Sequence, residues 1–246
     1  MARATVSLAG PPVGPVAVPA AVRGIAADAP VEAVWQNQLG GITWRIGDPA
    51  DRYVKWQPLG VDGLDLDAEA ARLAWLAPHT PVPQVVDRGH DEEGEWLVTV
   101  AIPATSAIAE RWKSDPEQAV RAIGAGLRRF HDVAPLEGCP FDWSVESRLA
   151  RAGSELACPR PTIDRLVVCH GDACAPNTLV GEGGDFVAHV DVGSAGVADR
   201  WADLAVASWS LEWNFGEGWG VSFFDAYGIE PDAERIDFHR RLWDVT

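Results

Sequence analysis

The chain has 246 residues, enough for one large domain or two small lobes, and its 47% apolar content is ordinary for a globular protein. A net charge of −16 repels nucleic-acid phosphates and anionic membranes and favours cationic partners. No apolar run of about 18 residues occurs, which excludes a transmembrane helix, and Cys139, Cys158, Cys169 and Cys174 are too few in a chain of this length to demand a disulfide framework.

Taken in chain order, residues 1–30 are rich in Ala, Pro and Gly and read as loosely ordered, or as a short strand plus linker. Pro11, Pro12, Pro15 and Pro19 interrupt any signal-peptide helix. The expectation is therefore a cytoplasmic, monomeric protein with reduced thiols. Segments 32–38 and 42–46 read as strands around the Gly40–Gly41 turn, and 52–57, "RYVKWQ", as a third strand. Residues 67–77 have a helical pattern, with Asp67 as its N-cap. A Pro-bounded extended stretch, "HTPVPQVVDRG", leads to a buried strand over 95–102.

After Pro103 the pattern becomes helical. Val120, Ile123, Leu127 and Phe130 recur at helical spacing within 116–132. A helix near 145–157 follows, then the apolar strand entering "VVCHGDACAPNTLV", a short strand over 186–193, and helices over 199–213, 219–227 and near 232–243. The fold class is α+β. A small β-rich N-terminal lobe, 1–101, is expected to precede a larger helical lobe, 102–246.

The residues that carry chemistry make an ordered set. His170-Gly171-Asp172 and, after four intervening residues, Asn177 have the His-x-Asp-x-x-x-x-Asn spacing of a kinase catalytic loop. Asp191-Val192-Gly193 follows an apolar strand, as a metal-binding Asp-x-Gly does. Phosphoryl transfer is catalysed mainly by positioning and electrostatics. Asn177 and Asp191 offer hard oxygens to Mg²⁺, and Asp172 can take a hydrogen bond or proton from the attacking hydroxyl. Only Lys55 and Lys113 are lysines, so Lys55 inside a strand pattern stands out. It can hold phosphate oxygens, with Glu69 of the next helix as its ion-pair partner. Gly40 and Gly41 can bring backbone N–H groups close to phosphate. Singly, the glycines read as a hairpin turn, Lys55 as a surface lysine, Glu69 as a solvated helix face and His170 as a structural histidine.

At these residues the chain resembles the aminoglycoside phosphotransferases, small-molecule kinases with a bilobal protein-kinase-like fold. "CHGDACAPNTLV" and "VDVGSAGVADRWADLA" carry the resemblance. "LVVCHGDACAPN", "VTVAIPA", "CPFDW" and "YGIEPDAER" are most similar to the streptomycin 3''-phosphotransferases. The resemblance implies ATP and Mg²⁺ as cofactors, transfer of the γ-phosphate to streptomycin, and resistance to the antibiotic. Asp172 carries over as the catalytic acid, Asn177 and Asp191 as the metal ligands, and Lys55 with Glu69 as the phosphate pair. Residues near 98–103, among them Val100 and Ile102, carry over as the hinge that meets adenine. Asp199, Glu212, Trp213 and, more weakly, Asp244 are candidates to contact a cationic substrate. Asp199 and Asp203 read more readily as helix capping and support of the catalytic loop. Another antibiotic or a metabolite remains the alternative substrate, with the same catalytic residues.

Overall fold

The computed structural model of the chain describes residues 9–37, 39–61 and 65–246. The expectations for residues 1–8 and for the end of the first strand at Gln38 lie outside the described residues. The chain divides into two compact units, Met1–Ala74 with Pro83–Ile102, and Trp75–Val82 with Pro103–Thr246.

In the first unit, strands β1 (Val31–Gln36), β2 (Ile42–Gly47), β3 (Ala50–Pro58), β4 (Val85–His90) and β5 (Gly94–Val100) form an antiparallel sheet in the order β1-β2-β3-β5-β4. Period-2 alternation buries Ile42, Trp44 and Ile46 of β2 on one face. There they meet Val54, Val98 and, from helix α1 (Ala20–Ala26), Val22 and Ala26. Helix α1 was not expected from the proline-rich leader. The run of prolines ends at Pro19, directly before the helix, where a fixed φ suits a helix start. Val22 and Ala26, four residues apart, then share one buried face.

Helix α2 (Leu66–Leu76) is capped by Asp65, whose Oδ1 accepts from the Ala68 N–H at 2.7 Å. The cap is thus two residues before the expected Asp67, which instead pairs with Arg88 at 2.7 Å. The Pro-bounded stretch supplies β4, which pairs with β5 from Val85↔Thr99 to His90↔Glu95.

The second unit contains β6 (Thr105–Ser106), α3 (Glu110–Lys113), α4 (Pro116–Val133), α5 (Val145–Ala152), β7 (Leu166–Cys169), β8 (Thr178–Val180), β9 (Phe186–His189), β10 (Gly196–Asp199), α6 (Trp201–Phe215), α7 (Gly220–Tyr227) and α8 (Ala233–Val245). The apolar stripe of α4 is buried against α6 and α7 residues, including Trp201, Leu204, Phe223 and Tyr227. Gly124 lets α4 and α7 approach closely, because a Cβ there would collide with the Phe223 carbonyl. Helix α5 stops five residues before its expected end, at a left-handed Gly153. Strand β10, unexpected from "GVAD", pairs antiparallel with β7, Gly196↔Cys169 through Asp199↔Leu166. Two small residues and an Asp give it little strand signal of its own. No helix among the described residues is long and apolar enough to cross a membrane.

Leu127 is 1% exposed at the centre of this core. Leu127→Ala should cost about 2–5 kcal/mol, measured as a lower urea midpoint.

Candidate active site

Strand β7 delivers Val167, Val168 and Cys169 into the core and then stops at His170. The stop is enforced by α6. Asp203, 1% exposed in the first turn of α6, accepts from the N–H groups of His170 (Oδ2, 2.6 Å) and Gly171 (Oδ1, 2.9 Å). Those amides would otherwise continue the strand. Gly171 has φ +84° and presses on the Ser194 carbonyl so closely that any Cβ would collide. Only glycine meets both demands. Further along, the Ala175 N–H donates to Ser210 Oγ of α6 at 2.9 Å, so α6 holds the loop at two points.

His170 is 0% exposed and structural, as its isolated reading suggested. Its Nδ1 accepts from the Asp172 N–H at 3.3 Å, and Nε2, which then carries the proton, donates to the Val190 carbonyl at 3.0 Å. Asp203 also bonds His131 Nε2 at 2.9 Å, and His131 Nδ1 meets the Tyr227 hydroxyl at 2.7 Å. His131 was not among the expected site residues. The available signal was its position four residues after Leu127, on the buried face of α4.

The β8–β9 hairpin explains why Asn177 and Asp191 lie fourteen residues apart in sequence. Thr178 pairs with His189, and the Val190 N–H donates to the Asn177 carbonyl at 2.9 Å. The residue after β9's end is therefore level with the end of the catalytic loop. Asn177 Nδ2 donates to the Asp172 carbonyl at 2.9 Å and to Asp172 Oδ2 at 3.1 Å, so only Oδ1 could serve a cation. Asp191 is exposed, with φ 60°. A non-glycine residue held there is uncommon and is typical of functional strain.

Burial, and then the charge of Asp191, push the Asp172 carboxyl above the ordinary carboxylate range; Cys174, His170 and Asn177 only partly oppose them. Asp172 Oδ1 is buried without a hydrogen bond of ordinary geometry, although the weak thiol donor Cys174 lies beside the carboxylate. The Cys174 thiol is itself pushed up by burial and by Asp172, so it is no thiolate nucleophile. The donor set of Asn177 Oδ1 and the Asp191 carboxylate fits a hard divalent cation. Such an ion would also offset the Asp172–Asp191 repulsion.

In the first unit, Lys55 Nζ on β3 pairs with Glu69 Oε1 on α2 at 2.6 Å, with side chains 27% and 8% exposed. The glycine turn departs from expectation. Asn37 Oδ1 accepts from the N–H groups of Leu39 (2.9 Å) and Gly41 (2.7 Å), and the Gly40 N–H reaches the Asn37 carbonyl at 3.4 Å. The amides expected to meet phosphate are thus held by the turn itself, in an Asx-type arrangement. Val100 uses its N–H on the Gln84 carbonyl at 2.9 Å, so that group is not open to an adenine. Ile102 is half-buried just beyond β5.

Of the expected substrate contacts, Asp199 is corrected. Its Oδ2 accepts from the Asp164 N–H at 2.9 Å and lies 3.5 Å from Arg235, and its Oδ1 accepts from the Trp201 N–H at 3.2 Å. It caps α6 and ties down the 164 segment, the alternative favoured by the sequence. Glu212 is exposed and pairs with Arg240 at 2.9 Å on the rim of a hollow of about 380 Å³ that Glu217 and Trp219 also line. Trp213 is 55% exposed and packs on Trp209 with ring centroids 4.8 Å apart. Asp244 is exposed near the end of α8, away from that hollow's lining.

The model of the phosphotransferase enzyme family matches residues 41–158 and 145–239. An aminoglycoside 3'-phosphotransferase of Streptomyces fradiae is 39% identical over 85% of this chain and 92% of its own length. The streptomycin 3''-kinase of Streptomyces griseus is 33% identical over 87% and 91%. Among solved structures, an aminoglycoside-3'-phosphotransferase of type VIII matches with a TM-score of 0.76 at 30% identity, covering 92% of this chain and 97% of that one. The phosphotransferase APH(3'')-Id from Streptomyces rimosus, in complex with ADP and streptomycin, matches with a TM-score of 0.69 at 26% identity, covering 92% and 96%. The mixed α+β architecture is thus the kinase-like fold of these enzymes.

Burial raises the Asp203 carboxyl, but the hydrogen bond and charge of His131, with His170 and the Gly171 N–H, bring it below its usual range. A depressed carboxyl contributes stability above its unfolded pKa and loses it as pH falls through the folded value. Asp203→Ala should therefore cost about 3–5 kcal/mol at neutral pH. In urea titrations the gap to wild type should narrow from roughly pH 5 downward.

Proposed function

The chain belongs to the phosphotransferase enzyme family that includes the aminoglycoside phosphotransferases, and from this we propose that it moves the γ-phosphate of ATP onto a hydroxyl of an aminoglycoside antibiotic, conferring resistance. The observation that carries the proposal is the Asp172–Asn177 loop, held to α6 by Asp203 and brought level with Asp191 by the β8–β9 hairpin.

In the proposed reaction the antibiotic hydroxyl attacks the γ-phosphorus, the bond from that phosphorus to the β,γ-bridging oxygen breaks, and ADP leaves. Asp172 accepts the hydrogen bond of the attacking hydroxyl and can take its proton. A carboxyl pushed above the ordinary range suits that work, because basicity nearer the working pH aids proton transfer. Asn177 and Asp191 would hold Mg²⁺, which neutralises developing phosphate charge when bound. Lys55, held by Glu69, is the proposed phosphate lysine. Val100 and Ile102 keep only a proposed packing role against the base, since the Val100 N–H is already engaged.

For the substrate we favour streptomycin and its 3''-hydroxyl. The streptomycin 3''-kinase similarity and the segments "CPFDW" and "YGIEPDAER" support this reading. A net charge of −16 and the exposed Glu212, Trp213 and Asp244 suit a cationic, guanidinium-bearing molecule. The second reading, a 3'-hydroxyl of another aminoglycoside, is favoured by the 39% identity to the Streptomyces fradiae enzyme.

An ADP-release assay with ATP, Mg²⁺ and a panel of streptomycin, kanamycin, hygromycin and viomycin separates the two. Turnover is expected on streptomycin; turnover on kanamycin alone would move the assignment to the 3'-hydroxyl, and turnover on neither would refute both. Asp172→Ala should lower turnover about 10²–10⁴-fold, and near-wild-type turnover in that variant would remove Asp172 from the chemistry.

A further inference from the structure

Strand β7 has the catalytic loop at one end. At its other end, beside Leu166, the second unit contains a cavity of about 290 Å³ whose wall includes Trp143, Arg148, Arg160, Asp199 and His239. Arg148 on α5 is 3% exposed, yet its one side-chain hydrogen bond runs from Nη2 to Thr246 Oγ1 at 2.8 Å. Its Nε and Nη1 are buried without partners, as are Trp143 Nε1 and His239 Nδ1 on the same wall. Four of the ten such side-chain atoms among the described residues thus surround this one cavity, so the polar deficit is local. Buried polar groups are nearly always satisfied, by protein, water or an ion.

The Arg148 charge is met only at a distance, by Asp203, whose oxygens are taken by His131, His170 and Gly171. Trp143 and Trp243 sit 4.9 Å and 5.7 Å from the Arg148 guanidinium and give it cation–π contacts only. The two carboxylates on the wall are committed elsewhere. Asp142 Oδ1 accepts from the Ser144 N–H at 2.7 Å, and Asp199 serves Asp164, Trp201 and Arg235. Arg160 is paired with Glu146. Burial lowers the Arg148 pKa to about 10, which still leaves it charged at neutral pH. Burial and then Arg148, Arg160 and Arg235 hold His239 down at about 3, neutral in its electropositive surroundings.

We propose that this cavity is a binding site for a small oxyanion, a carboxylate or phosphate group that serves as the missing partner of the Arg148 guanidinium. Buried guanidinium donors left without an acceptor are costly, and guanidinium N–H groups match the oxygens of either group. The inference does not depend on the proposed function.

The test is thermal denaturation without nucleotide, in sodium acetate or sodium phosphate replacing sodium chloride at constant ionic strength. At ten times the dissociation constant, a bound anion should raise the wild-type midpoint by about 2–6 °C. The anion acting at the lower concentration identifies the carboxylate or phosphate preference. Arg148→Met should abolish the rise. Ile163→Glu keeps Arg148 and adds a carboxylate to the cavity wall at a residue 51% exposed, so it should fold and also abolish the rise. Equal stabilisation by chloride, no rise with either oxyanion, or an undiminished rise in Ile163→Glu would overturn the proposal. Titration calorimetry of wild type with the active anion should give one site per chain, and a heat signature unchanged in Ile163→Glu would count equally against it.

Discussion

The carboxylate of Asp203 is the group on which the candidate active site depends. It takes the N–H groups of His170 and Gly171 at 2.6 and 2.9 Å and so ends β7 where the catalytic loop must begin. Buried hydrogen bonds to a charged acceptor are among the stronger ones, and a carboxylate at 1% exposure needs every one of them. His131 provides the compensation on the far side and is itself tied to Tyr227. A chain of side chains from α4, α6 and α7 therefore ends on two backbone amides. Its consequence is positional: Asp172 follows Gly171 directly and has little freedom to wander.

The same economy governs the partner residues. A short antiparallel hairpin converts fourteen residues of sequence into neighbouring backbone positions, because Thr178 opposes His189 and the Val190 N–H bonds the Asn177 carbonyl. Asp191 then bears a left-handed φ of 60°, and the chain turns back to form β10 against β7. Three short strands and one helix N-terminus thus hold an acid, an amide and a second acid. Asp191 is close enough to Asp172 for its charge to add to burial in raising the Asp172 pKa, a repulsion that a bound cation would offset.

Much of this was legible in the sequence because phosphoryl transfer restricts residue types at fixed spacing. His170, Asp172, Asn177 and Asp191 stand out as a set, and the strand–helix order pairs Lys55 with Glu69, as β3 and α2 do. The α4 stripe was legible for a simpler reason, since four apolar residues at helical spacing have one buried face. What escaped depends on local geometry or on partners far along the chain. Asn37 holds the glycine-turn amides through bonds that exist only once the turn has formed. Asp199 is committed to Asp164 and Arg235, 35 and 36 residues away. Strand β10 owes its pairing to β7, and the burial of Arg148 depends on Trp143 and Trp243, which close over it.

The most direct measurement of the central claim is the affinity for Mn²⁺–ADP, followed by electron paramagnetic resonance, in wild type, Asp172→Ala and Asp191→Ala. If Asp191 is a metal ligand and Asp172 serves the hydroxyl, Asp191→Ala should weaken Mn²⁺–ADP binding by at least about tenfold, a loss of roughly 1.4 kcal/mol. Asp172→Ala should bind nearly as wild type does. Wild-type affinity in Asp191→Ala, or a loss confined to Asp172→Ala, would contradict the division of labour assigned to the two acids.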